Sequence, residues 1–238
     1  MTTAAPRHWL VYALGGGLGH LTRSLALART AARQGVRVVV MSNSPQAKML
    51  RSRVEVDGVS VEPVAVGEDR ERAAHAVRAR IARADFDTLV VDTFPRGLGG
   101  ELADLVSRRR WRMVLVHRDL DPGYVRAKEL KRSVERYDLL LAPGERGCLA
   151  GATRTAETGP WLVRDRDELF ARDRARSLLS AANEGPLVLV VGSTVATEQR
   201  QQARLAAMLS SRLASRAQVR FAAVDGAAST TPCSRAAV

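Results

Sequence analysis

His20 follows a run with four glycines in five positions, Gly15-Gly16-Gly17-Leu18-Gly19. Backbone without side chains can pass close to a ligand, and the free N–H groups at the start of a following helix suit a phosphate or another anion. Gly16, Gly17 and Gly19 are therefore candidate anion-binding donors. An imidazole at the end of such a turn can take a proton from a hydroxyl. A carboxylate on its other ring nitrogen would fix the tautomer and stabilise the cation that forms. Asp92 is the carboxylate to pair with it, because it ends the apolar run Phe86 to Asp92 and ligands gather at the carboxyl ends of parallel strands. In the blander alternative His20 only braces its own turn and Asp92 only caps its own loop.

The elements that must carry these groups can be read from the apolar pattern. Trp9 to Leu14 has the length of a buried strand, Leu21, Leu25, Leu27, Ala28, Ala31 and Ala32 recur at helical spacing, Gly35 stops that helix, and Val36 to Met41 is a second strand. Ser44 and Pro45 fit the N-cap and first position of a helix running through Leu50. Val59 to Val64 alternates and holds Pro63, as an edge strand would, and Glu68 to Ala84 is a solvated helix with His75 on its surface. After the fourth strand comes a second glycine-rich turn, Thr93 to Gly100, then a helix from Glu101 to Arg109 and a fifth strand, Trp111 to His117. A helix over Tyr124 to Arg136 and a strand over Tyr137 to Ala142 complete a first domain, residues 1–142. Short apolar runs alternating with helical segments imply an α/β fold with a right-handed, Rossmann-like parallel sheet.

Residues 143–165 read as a connector in which Gly159 to Val163 could form a short strand. Asp165 to Ala182 is charged and helical in period. Pro186 to Val191 followed by Gly192-Ser193-Thr194 and a helix from Ala196 to Leu213 repeats the opening device, and Gln218 to Val224 is one more strand. Residues 166–224 are thus the start of a second α/β domain, with a patternless tail over 225–238.

Other chemistries fit less well. A dinucleotide fingerprint wants a small residue where His20 stands and an acid where the second strand ends in Met41-Ser42-Asn43. Only Ser42, Asn43 and Lys48 keep an NADP-dependent oxidoreductase in view, as a remote third reading. A phosphate-loop reading fails, since no Gly-Lys-Ser or Gly-Lys-Thr follows the glycines. Cys148 and Cys233 stand far apart and outside any ligand spacing, so neither a disulfide framework nor a metal site is expected.

The sequence G-G-G-L-G-H-L-T-R-S-L-A-L-A-R from Gly15 to Arg29, with V-V-D-T-F-P-R-G, H-R-D-L and the later G-S-T, resembles the GT-B glycosyltransferases. The likeness is to predicted members related to the enzyme that adds N-acetylglucosamine to the lipid intermediate of peptidoglycan. It implies metal-independent transfer of a sugar from a nucleotide diphosphate sugar, UDP-linked, to a hydroxyl acceptor, with no cofactor beyond the donor. It also implies that His20 is the base and Asp92, in its D-x-F context, the supporting carboxylate. Gly192, Ser193 and Thr194 would touch the donor phosphates, facing the first turn if the two domains oppose each other. Arg23 and Arg118 are secondary cationic candidates for the diphosphate, and His117 a further secondary site residue. Measured against that family the second domain is expected to be incomplete, which leaves a non-catalytic or truncated anion- or nucleotide-binding α/β protein as the main alternative.

Composition bounds the rest. With 238 residues, 46% of them hydrophobic, the chain can bury a real core. No run reaches the roughly 18 apolar residues of a membrane span and no apolar leader opens the chain, so it is expected to be cytoplasmic, with peripheral contact to an anionic inner membrane face in view. The net charge of +12 invites a nucleic-acid partner, but only Lys48, Lys128 and Lys131 are lysines among 37 basic residues, an arginine excess that coding bias alone can produce. Aromatics at 4% argue against stacking on bases.

Overall fold

The computed structural model describes residues 7–15, 17–48, 58–64, 70–107, 111–144, 147–193 and 196–223. The chain divides into two units, Met1–Val163 and Arg164–Val238.

The first unit is built on a seven-stranded sheet, ordered β3-β2-β1-β4-β5-β6-β7, with every neighbouring pair parallel. Its strands are β1 (His8–Ala13), β2 (Arg37–Ser42), β3 (Val59–Pro63), β4 (Thr88–Asp92), β5 (Arg112–Val116), β6 (Leu139–Pro143) and β7 (Thr155–Thr158). The central strands are covered on both faces, and their continuous apolar sequences follow from that. Alternate residues feed two separate cores: Leu10, Tyr12, Leu89, Val91, Met113 and Leu115 point to one side, and Val11, Ala13, Val90, Val114 and Val116 to the other.

Helix α1 (Leu18–Arg33) lies on the second face. Its buried Leu21, Leu25, Ala28 and Ala31 form one stripe, and Gly35 ends it in the left-handed region at φ 76°. Helix α2 (Arg70–Arg83) packs Val77 and Ile81 on the first face and leaves His75 exposed, as its surrounding charges imply. The edge position of β3, with Pro63 as its last residue, also agrees with the sequence pattern. The helix expected from Ser44 through Leu50 falls partly outside the described residues.

Four expectations need correction. The helix predicted over Tyr124 to Arg136 is two short ones, α4 (Pro122–Ala127) and α5 (Leu130–Val134), because Glu129 between them turns into the left-handed region at φ 48° and ψ 41°. The helix after the second glycine turn is described only as α3 (Ala103–Ser107), Glu101 being still in the turn. The stretch read as connector contains β7, which pairs with β6, and Gly159 to Val163 is not a strand. The charged stretch Asp165 to Ala182 is helical only over a 3-10 turn, Arg166–Glu168, and α6 (Arg172–Leu178).

The second unit pairs β8 (Leu187–Val191) with β9 (Gln218–Ala222) in parallel, joined by α7 (Ala196–Leu213). Buried Arg176 ties the entry to β8 by donating to the carbonyls of Ala182 (2.7 Å), Glu184 (3.1 Å) and Gly185 (2.7 Å). Val224 and the tail 225–238 lie outside the described residues.

Candidate active site

β1 and β4 are adjacent and parallel, so their carboxyl ends open side by side. Gly15 and Gly17 follow β1, and α1 then begins with Gly17 at its N-cap and no acid in its first turn. Uncapped N–H groups with no nearby carboxylate on the same helix leave this end attractive to an anion. His20 sits in that first turn. Gly16 lies outside the described residues.

Asp92 ends β4 with no solvent exposure, and three side chains converge on it. His20 Nδ1 is 2.5 Å from its Oδ2. Arg23, one turn along α1, donates from Nε to Oδ1 at 2.7 Å and from Nη2 to Oδ2 at 3.0 Å. The Thr93 hydroxyl donates to Oδ2 at 3.1 Å and accepts from Arg23 Nη2 at 2.8 Å. A buried carboxylate needs such compensation, since holding an isolated one charged away from water costs several kcal/mol in lost solvation. Thr93 reaches its position at φ 67°, a strained conformation for a β-branched residue, directly beside the acid it supports.

The imidazole is held on its other sides as well. Its ring stacks on Phe94 with centroids 5.5 Å apart, and the far edge lies over Gly15, where a Cβ would stand 2.4 Å from Cδ2 and 2.5 Å from Nε2. Gly15 is thus required by close approach of the ring. Its N–H donates to Asn43 Oδ1 at 2.8 Å, which pins the turn to the end of β2. Ser42 is buried and its hydroxyl accepts from the N–H of Ser44 at 3.2 Å. The Ser42 and Asn43 side chains that kept a dinucleotide reading in view are therefore engaged with the protein's own backbone.

The loop after β4 is anchored from beneath. The Tyr12 hydroxyl donates to the buried Glu101 carboxylate, which also accepts from the N–H groups of Leu98 at 3.2 Å and Gly99 at 2.7 Å. Tyr137 donates to the carbonyl of Pro95 at 2.8 Å. Burial and the neighbouring Glu101 charge push the Tyr12 phenol far above the ordinary tyrosine range, and burial does the same to Tyr137.

His117 follows β5 and is buried against Gly147, where a Cβ would meet its Nε2 at 1.8 Å. Arg118 is exposed on the next position. In the second unit Gly192 packs tightly on the end of β9, donating to the carbonyl of Ala222 at 2.7 Å. Ser193 gives its N–H to Gln202 Oε1 and its hydroxyl to Glu198 Oε2, both at 2.6 Å. Thr194 lies outside the described residues. Sequence reasoning missed Thr93, Phe94, Gly15 and Asn43 as parts of the site, although the first two stand next to Asp92 in the D-T-F context. Among the described residues no group of His, Cys, Asp and Glu could hold a metal ion, and no helix is long and apolar enough to cross a membrane.

No family model matches the sequence, and no curated protein sequence matches it. Solved structures do match. The calicheamicin glycosyltransferase CalG4 is 18% identical at a TM-score of 0.54, over 92% of this chain and 65% of that one. MurG of Acinetobacter baumannii is 14% identical at 0.51, over 87% and 58%. UGT2 of Phytolacca americana, solved with UDP-2fluoro-glucose and pterostilbene, is 13% identical at 0.59, over 93% and 72%. This chain therefore spans 65% and 58% of the lengths of CalG4 and MurG. The agreement in backbone at such low identity gives the chain the α/β fold of the GT-B glycosyltransferases.

Proposed function

We propose that this chain carries the acceptor-activating half of a glycosyltransferase that uses a nucleotide diphosphate sugar, UDP-linked, and a hydroxyl acceptor. His20 Nε2 takes the acceptor proton while Nδ1 stays on Asp92. The acceptor oxygen bonds to the anomeric carbon, the bond from that carbon to the diphosphate breaks, and the diphosphate leaves with its electron pair. A single displacement of this kind inverts the anomeric centre. The N–H groups of the glycine turn and the positive end of α1 receive the leaving charge without a metal. Asp92, fully buried and gripped by Arg23, cannot approach a sugar and acts only through His20. The observation that carries this reading is the 2.5 Å contact between His20 and Asp92. Arg23 holds the acid in place through Nε and Nη2.

The glycosyltransferase structures to which the fold is similar favour the same chemistry, and the complex of UGT2 with UDP-2fluoro-glucose makes a UDP-sugar the first donor to try. The test is UDP release from UDP-glucose and UDP-N-acetylglucosamine, with and without small hydroxyl acceptors. Turnover by the wild type that is lost in His20→Ala supports the proposal, while equal turnover in both sinks it.

A second reading rests on Ser193. Its N–H and hydroxyl are already engaged by Gln202 and Glu198, so Ser193 offers neither to a phosphate. A protein that binds an anion at α1 without transferring a sugar would fit this arrangement. It would bind UDP-sugar with unchanged affinity after His20→Ala and release no UDP in either form.

A further inference from the structure

The loop that carries Asp92 at one end borders two adjoining cavities at the other, of about 190 and 280 Å³, which share Arg96 and Lys128. The smaller is basic: Arg96, Lys128, Arg132 and Arg136 line it against a single carboxylate, Glu129. The larger is lined by the glycine loop after Arg96, with Tyr124 and Leu130 opposite.

Two features distinguish this cluster from the arginines scattered over the rest of the surface. Lys128 and Lys131, two of the three lysines in the chain, fall in the α4 to α5 segment. The turn between these helices is also made by a non-glycine residue in the left-handed region, Glu129, in a sequence that would otherwise continue as one helix. That break turns the Lys128 carbonyl toward Arg96 Nη1, 3.3 Å away, and sets Arg132 on the same cavity. Strained backbone persists where its surroundings hold it, and here Lys128, Arg132 and Arg136 meet Arg96 at one cavity.

We propose that this cavity is a second anion site, taking a phosphate ester through Arg96, Lys128 and Arg132, with the ester's apolar part against Tyr124 and the glycine loop. Guanidinium forks and an ammonium make charge-assisted hydrogen bonds to phosphate oxygens, and a space of about 190 Å³ admits one such group rather than a polymer backbone. The phosphate comes either from a soluble ester or from a lipid headgroup, and the site does not depend on sugar transfer.

The full chain is titrated calorimetrically with phenyl phosphate and, separately, sedimented with phosphatidylcholine vesicles that contain or lack phosphatidylglycerol. Each assay is repeated on Lys128→Ala/Arg132→Ala and on Arg37→Ala/Arg83→Ala, a control that removes the same charge from exposed positions elsewhere. The site variant, which removes two of the three charge-assisted contacts, is expected to weaken binding about tenfold or more, and the control to change it less than about twofold. Loss with phenyl phosphate assigns a soluble ester; loss confined to phosphatidylglycerol vesicles assigns a headgroup. Equal effects in the two variants, an unaffected site variant, or no binding of either probe by the wild type overturns the proposal.

Discussion

His20 Nδ1 and Asp92 Oδ2 lie 2.5 Å apart across 72 residues of sequence, joined by the parallel pairing of β1 with β4. The strand register brings both residues to one sheet edge, and the packing around Asp92 then leaves the carboxylate nowhere else to point.

The first prediction tests that contact. Asp92→Asn keeps the shape but replaces an acceptor-only group with an amide, which no longer fixes the ring tautomer or stabilises the imidazolium. Turnover of a UDP-sugar is expected to fall roughly 100- to 10,000-fold, with a smaller change in KM. Steady-state kinetics on a variant whose circular dichroism matches wild type would decide it. Retention of more than about half the wild-type kcat would remove Asp92 from the mechanism.

Gly15 and Gly19 separate two roles that the sequence alone leaves merged. A Cβ on Gly15 would sit 2.4 Å from the His20 ring, whereas one on Gly19 meets nothing within 4 Å. Gly15→Ala should displace the imidazole and abolish turnover while the fold survives. Gly19→Ala, inside α1, should be active and up to about 1 kcal/mol more stable. The paired measurement is kcat with thermal unfolding, and an active Gly15→Ala protein would contradict the ring position.

Arg23 is expected to matter first for stability. Its removal leaves a buried carboxylate with only His20 and Thr93 as partners, a situation that costs about 3–5 kcal/mol for a broken buried pair. Urea unfolding of Arg23→Ala measures the loss, and Arg23→Lys, which keeps the charge without the fork, should fall between. A change below about 0.5 kcal/mol in Arg23→Ala would mean that solvent, not Arg23, compensates the acid.

Several of these relationships could be read from residue order and several could not. Strands β1, β2, β4, β5 and β6 were legible because parallel central strands are buried on both faces and so need unbroken apolar sequence. Strand β7 was not: Thr155–Thr158 is a half-exposed edge whose pairing with β6 supplies the order that its composition does not. The break at Glu129 was hidden because Ala127 to Arg132 consists of good helix formers, and tertiary packing overrides that weak local preference. His20 and Asp92 were legible as a pair from strand ends alone. The destination of Arg23 was not, since an arginine one turn into a helix reaches either a ligand or a buried acid, and only the depth of Asp92 decides between them.

The last prediction concerns pH. Tyr12 and Tyr137 are both buried, and both phenols are pushed upward, Tyr12 by burial and the Glu101 charge and Tyr137 by burial. Their unfolded counterparts ionise near about pH 10, so above that pH the unfolded chain releases protons that the folded chain retains. Folding stability from these groups is therefore fully present below about pH 10 and declines as pH rises further, by about 1.4 kcal/mol per unit for each phenol. Urea unfolding between about pH 9 and 11 should show the decline, and Tyr137→Phe, which keeps the ring but removes one phenol, should reduce the slope by about half. Tyr12→Phe should behave alike in slope but lose a further ~1–3 kcal/mol at neutral pH, because the buried Glu101 carboxylate then keeps only the Leu98 and Gly99 N–H groups as donors. Stability that stays level through about pH 11 would show that neither phenol is sealed from water, and with it the anchoring of the loop beside Asp92 would fail.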